Sequence, residues 1–209
     1  MEKQGNLKKI PNRITIFRIL IIVIFIPTLL HNTMISSYIA LFLFLIAAVS
    51  DFIDGYIARK YNVISTFGKV MDPLADKIMS LSAILCFVQL NIIPAWMVII
   101  IVGREFLVSG IRILAADEGK IIMASNWGKA KTVIEIIAII SILFLMCVNH
   151  TINYYHFSRQ NLILEGEPLT EFLLLKVIPY ILMFIVAGIS LISGFEYFFK
   201  NKHLFEKGL

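Results

Sequence analysis

Apolar residues in this chain come in long runs, with polar and charged residues collected between them rather than recurring once per helical turn. A soluble amphipathic helix would show the second pattern, with one stripe facing a core. A hydrocarbon layer about 30 Å thick asks for about 20 consecutive apolar helical residues instead. Six runs approach that length, over 14–30, 36–58, 71–90, 94–115, 131–148 and 173–199. They predict an all-α integral membrane protein with six transmembrane helices, one domain over 1–209, led by a short amphipathic segment over about 1–13. Lys8, Lys9 and Arg13 ahead of the first run imitate a secretory signal, but no small-residue cleavage site follows. The expectation is therefore an uncleaved first span.

Composition strengthens this picture, since 59% of the residues are hydrophobic and 16% charged. The mean hydropathy is +0.86, far above that of an ordinary soluble domain. The net charge of +5 does not read as a nucleic-acid footprint, because the basic residues are scattered among apolar runs. They mark topology. Lys3, Lys8, Lys9 and Arg13 precede the first run, Arg59, Lys60 and Lys69 join the second to the third, and Lys120, Lys129 and Lys131 join the fourth to the fifth. Lys200, Lys202 and Lys207 close the chain, whereas the loops around Asn32 and Asn91 hold neither Lys nor Arg. The positive-inside bias then places both termini in the cytoplasm of a multi-pass protein of the cell membrane. Cys86 and Cys147 sit inside apolar runs and read as small buried hydrophobes. Trp96, Tyr154 and Tyr155 read as interfacial anchors. His31, His150, His156 and His203 fall away from the acidic residues described next.

Asp51, Asp54, Asp72 and Asp76 interrupt the second and third runs near their cytoplasmic ends. A carboxylate in an apolar segment is costly without a cation or a watery cavity to compensate it. The first pair is three residues apart and the second pair four, so on helices each pair shares a face. Residues 38–49 separate the outer loop from Ser50 and Asp51, which is about 18 Å at the helical rise. Asp51 is thus expected in the inner third of the layer, lining a cavity open to the cytoplasm. An oxygen-rich pocket of four carboxylates selects hard divalent ions such as Mg2+ or Mn2+. Two such ions about 3.5–4 Å apart are a recurrent device for displacement at phosphorus. Snorkelling acids paired with Arg59, Lys60 or Lys77 are the plainer alternative for any one aspartate.

In full, the stretch is Asp51, two residues, Asp54-Gly55, two residues, Ala58-Arg59, eight residues, Gly68, three residues, Asp72, three residues, Asp76. It resembles, without departure, the signature of the CDP-alcohol phosphatidyltransferases, six-helix membrane enzymes that move a phosphatidyl group from a CDP-linked lipid to an alcohol and release CMP. The resemblance implies that Asp51, Asp54, Asp72 and Asp76 hold two divalent ions, with Asp76 also taking the proton from the attacking hydroxyl. It implies nucleotide-lipid contacts from Gly55, Ala58, Arg59, Gly68, Ser65 and Thr66, and from Asn12, Thr15 and Arg18, which look like the family's amino-terminal pattern. A homodimer is expected on the same ground.

The acceptor alcohol is argued from the fourth and fifth runs. Arg104 and Arg112 are eight residues apart, about 12 Å along a helix, and Lys129 and Lys131 follow at the mouth of the next run. Together the four cations suit an acceptor that carries phosphate. Glycerol 3-phosphate is the simplest, with CDP-diacylglycerol as donor and membrane lipid as surroundings. The strings Arg104-Glu105-Phe106-Leu107 through Gly110-Ile111-Arg112, and Gly128-Lys129 to Lys131-Thr132, also resemble those of family members that make phosphatidylglycerol phosphate in bacteria. Inositol phosphate and serine stay open as acceptors, and pairing of Arg104 with Glu105 or Glu135 is the structural alternative. A divalent-cation transporter is the rival of another class, but it predicts acids spread through the membrane's depth rather than gathered near one face.

Overall fold

The computed structural model describes residues 9–61, 66–117, 119, 123, 125–155, 163–164 and 167–202, and within these the side chains of 16–50, 77–116, 119, 123, 125–155 and 169–202. The chain forms two compact units, Met1–Leu90 with Ile140–Asn161, and Asn91–Ile139 with Leu162–Leu209.

In the first unit, α1 (Lys9–Leu30) packs against both α2 (Met34–Tyr61) and α3 (Thr66–Gln89). Phe25 and Leu29 of α1 are buried, together with Ala40, Phe44 and Ala47 of α2 and Ala83, Ile84 and Phe87 of α3. The alanines let the helix backbones approach, and the aromatic rings fill the space between them; Phe25 and Phe44 meet with centroids 6.0 Å apart. The turn from α1 to α2 places Asn32 at φ 48°, a left-handed conformation that asparagine tolerates. Thr33 then caps α2. Its backbone N–H donates to Ser36 Oγ at 2.9 Å, while the Ser36 N–H donates to Thr33 Oγ1 at 3.4 Å, a reciprocal box that satisfies two otherwise orphaned donors.

In the second unit, α4 (Ala95–Asp117) packs along the last helical run. That run begins as α6 (Leu169–Phe172), widens into a π turn over Leu173–Val177 and continues as α7 (Ile178–Lys200). Pro179 explains the widening, because its ring displaces the carbonyl four residues earlier and it offers no N–H to it. The helix α5 (Asn126–Tyr155) contributes residues to both units. A two-residue antiparallel ladder, Ile163 with Pro168 and Leu164 with Glu167, is the one departure from helix among the described elements.

The helices run beyond the apolar stretches. Helix α1 starts at Lys9 inside the expected interfacial segment, with Pro11 tolerated in the first turn, and α5 has 30 residues where the apolar run covered 131–148. Among the described residues, α5 and the run Leu169–Lys200 are long and apolar enough to cross a membrane. The apolar helical stretches Ile16–Leu30, Met34–Ser50 and Lys77–Gln89 are shorter. In α4 the ionisable residues Arg104, Glu105 and Arg112 interrupt the apolar run. Outward-facing residues fit a hydrocarbon surround, since Ile99, Phe106 and Ile113 of α4 are each about 70% exposed and would form a costly patch in water.

Candidate active site

The first unit carries the acidic array on two continuous helices. Asp51 and Asp54 lie on α2, Asp72 and Asp76 on α3; both helices pack on α1 and make only slight contact with each other. Their three- and four-residue spacings hold as helical register. The side chains of Asp51, Asp54, Gly55, Ala58, Arg59, Thr66, Gly68, Asp72 and Asp76 lie outside the described ones, as do those of Asn12 and Thr15 on α1; Ser65 lies outside the described residues. Arg18, also on α1, is described and is 1% exposed. A guanidinium this deep has to be compensated by polar or acidic neighbours. Carboxylates are hard-oxygen donors of the kind that divalent metal ions take. Among the residues whose side chains are described, which do not include the four aspartates, no group of three or more His, Cys, Asp or Glu is placed to hold a metal.

The second unit carries the cations, and they divide into two kinds. Arg104 and Lys131 are enclosed and neutralised. The Arg104 Nη1 donates to Glu105 Oε1 at 2.8 Å, and Lys131 Nζ donates to the same oxygen at 2.8 Å and to Glu135 Oε2 at 2.7 Å. Lys131 is 2% exposed and Glu135 5%, so two cations and two carboxylates balance in a dry environment where an unpaired charge would be prohibitive. The other guanidinium nitrogen of Arg104, Nη2, donates to Ser193 Oγ on α7 at 2.7 Å. The pairing of Arg104 with Glu105 is therefore present, but it joins a larger network that takes in Lys131.

Arg112 and Lys129 are the exposed pair. Arg112 Nε donates to Tyr197 Oη at 3.2 Å, and its guanidinium carbon stands 5.8 Å from the centre of that ring. Tyr197 is held by packing with Val108, Ile111 and Ala115. Lys129 lies in the first turn of α5, whose start is fixed by Ser125: its Oγ accepts from the Gly128 N–H at 3.1 Å. The four basic residues singled out in the sequence thus have different partners and different exposure, rather than forming one uniform patch.

Ser193 and Tyr197 were not singled out from the sequence. They belong to a buried small and polar face of α7, Ser190, Ser193, Gly194 and Tyr197. That face recurs at i, i+3, i+4 and i+7, so helical periodicity carried the signal beneath a strongly apolar run.

Sequence comparisons place the chain among known proteins. The family described as CDP-alcohol phosphatidyltransferase matches residues 8–194. A Bacillus subtilis protein named CDP-diacylglycerol--glycerol-3-phosphate 3-phosphatidyltransferase is 35% identical over 204 residues, covering 92% of this chain and 94% of its own length. A Rickettsia felis protein of the same name is 32% identical over 198 residues, covering 95% of this chain and 98% of its own. In Treponema pallidum, a protein so named is 44% identical over 96 residues, covering 46% of this chain and 44% of its own. The aspartate pattern on α2 and α3, the apolar helices and a family match over most of the length lead to one conclusion: this chain belongs to the CDP-alcohol phosphatidyltransferase family, and is an enzyme of that class.

Proposed function

We propose that the protein transfers the phosphatidyl group of CDP-diacylglycerol to glycerol 3-phosphate, releasing CMP and leaving phosphatidylglycerol phosphate in the membrane. The observation that carries this reading is the eight-position pattern from Asp51 to Asp76, borne on two consecutive helices. The names of the relatives support the choice of substrates. The protein works as a six-span homodimer of the cell membrane with both termini and the active site toward the cytoplasm.

Two divalent ions, Mg2+ or Mn2+, held by Asp51, Asp54, Asp72 and Asp76, would supply neutralisation of the pyrophosphate and of charge on the departing CMP. The remaining chemistry belongs to the chain. Asp76 accepts the proton of the acceptor hydroxyl, whose oxygen attacks the β-phosphorus in line. The bond from that phosphorus to the bridging oxygen breaks, and CMP leaves with the electron pair. Gly55 and Gly68, without side chains, let the nucleotide approach the backbone. Ala58, Ser65 and Thr66 line that pocket, Arg59 grips a phosphate oxygen through its planar fork, and Asn12, Thr15 and Arg18 cover the nucleotide-lipid from α1. Arg104, Arg112, Lys129 and Lys131 serve the acceptor phosphate in different ways. Exposed Arg112 and Lys129 contribute net attraction, Arg104 contributes a fixed donor, and buried Lys131 acts indirectly, by holding Glu105 and Glu135 in place.

The test is incubation of the purified protein in lipid nanodiscs with CDP-diacylglycerol and Mg2+, offering glycerol 3-phosphate, serine and inositol phosphate separately. CMP release with glycerol 3-phosphate and a phosphatidylglycerol phosphate product by mass spectrometry are expected. Turnover with another acceptor alone would reassign the substrate.

A further inference from the structure

Arg104 is held in a slot made by two glycines on different helices. A Cβ placed on Gly128 of α5 would lie 3.0 Å from Arg104 Nη2 and 3.9 Å from Ser193 Oγ, beside the hydrogen bond those atoms make. A Cβ on Gly194 of α7 would lie 3.2 Å from Arg104 Cγ and 3.8 Å from its Cβ. One glycine clears the head of the side chain and the other its stem. The contrast with Gly103, Gly110 and Gly188 is sharp, because a Cβ on any of these meets nothing within 4 Å. The head is then pinned by Glu105 at 2.8 Å and Ser193 at 2.7 Å, with Ser193 fully buried. The slot leaves the Arg104 side chain 9% exposed, so a guanidinium with many rotamers is confined to one.

The geometry points to Gly128 and Gly194 as positioning residues, with Ser193, that set where the Arg104 guanidinium stands for the acceptor's phosphate. This rests on the reading of Arg104 as an acceptor-binding residue. A methyl group at Gly128 presses on the guanidinium end of Arg104 and comes within 3.4 Å of Ser125 Oγ, whereas one at Gly194 presses on the Arg104 stem at Cγ; in each case the Arg104 side chain must shift by a few tenths of an ångström. The two sites differ in what relieves them. Lysine at position 104 lacks the Nη2 atom that crowds Gly128 but keeps the Cγ atom that crowds Gly194. Alanine at position 104 lacks both.

The experiment is a set of double-mutant cycles read as KM for glycerol 3-phosphate, KM for CDP-diacylglycerol and thermal midpoint in detergent. Arg104→Ala alone is expected to raise the acceptor KM; if it does not, Arg104 plays no part in acceptor binding and the underlying reading fails, whatever the glycines do. Given that effect, Gly128→Ala in the natural background is expected to raise the acceptor KM about tenfold. The KM for CDP-diacylglycerol and the thermal midpoint should hold. In the Arg104→Lys background Gly128→Ala should add nothing, whereas Gly194→Ala should still cost several-fold; in the Arg104→Ala background neither should matter. Gly188→Ala, where space is open, serves as the control for a helix glycine. Equal costs for the glycine substitutions in all three backgrounds, or a uniform fall in kcat without a KM change, would overturn the positioning role. If Gly128→Ala fails to fold, Ser193→Ala carries the same test from the hydrogen-bond side, with a smaller rise in acceptor KM expected and its loss in the Arg104→Lys background.

Discussion

The two units of this enzyme hold their charges by opposite means. In the unit containing α1, α2 and α3, the acids recur at fixed short intervals along 26 residues of sequence, and two helices present them. In the unit containing α4 and α7, the charges come from positions 104, 105, 131 and 135 and are balanced pair by pair, two cations against two carboxylates. A concentration of like charge is unstable by itself and requires a counter-ion, whereas a neutral buried network is complete without one. On the proposed reading the first arrangement would hold bound cations, and the second frames donors. Function follows from the imbalance in one unit and precision from the balance in the other.

Substitutions can separate these roles. The largest effect is expected from Asp76→Asn, which removes the proposed base while keeping size and polarity: kcat should fall at least about a thousandfold with little change in thermal midpoint. Retention of the natural rate would take the proton acceptor elsewhere. Next comes Lys131→Met, which leaves Glu105 and Glu135 facing each other without their shared cation. A loss of about 3 kcal/mol or more in unfolding free energy is expected, partly restored by adding Glu135→Gln. Chemical denaturation in detergent measures both, and an unchanged midpoint would mean that the pair is not buried as found. Arg112→Ala should raise the acceptor KM about a hundredfold, leave the KM for CDP-diacylglycerol alone and cost little stability, since Arg112 is exposed. Equal rises in both constants would place Arg112 on the donor instead. The smallest effect is expected from Tyr197→Phe, which keeps the ring under the guanidinium but removes a 3.2 Å hydrogen bond. Its cost should be about 1 kcal/mol, or several-fold in the acceptor KM, and a loss as large as that of Arg112→Ala would show that the hydroxyl does more than orient its neighbour.

How much of this was legible in the sequence differs between the units for a physical reason. The acidic array is local: its information lies in spacing, and helical geometry converts spacing into a shared face without tertiary knowledge. The helical architecture was equally readable from the apolar runs, but not the helix limits. Helix α5 begins five residues before the run at 131, because Ser125 caps it and backbone hydrogen bonding continues wherever capping permits. Membrane hydropathy locates the buried middle of such a helix and is silent about its ends. The second unit was only half legible. Arg104, Arg112, Lys129 and Lys131 stood out as charges, yet their sorting into enclosed and exposed pairs depends on Glu105 meeting Lys131 across 26 residues and on Ser193 meeting Arg104 across 89. Gly128 and Gly194 matter through an atom they lack, and a missing atom is visible only once its neighbours are in place.

The central claim is that the four aspartates gather divalent ions for displacement at phosphorus, and counting bound metal tests it most directly. Electron paramagnetic resonance titration of Mn2+ onto the purified protein, with CDP-diacylglycerol present, should give about two ions per chain. That count should fall in both Asp54→Asn and Asp72→Asn, which draw on different helices. A count of zero, or one that neither substitution changes, would contradict the account.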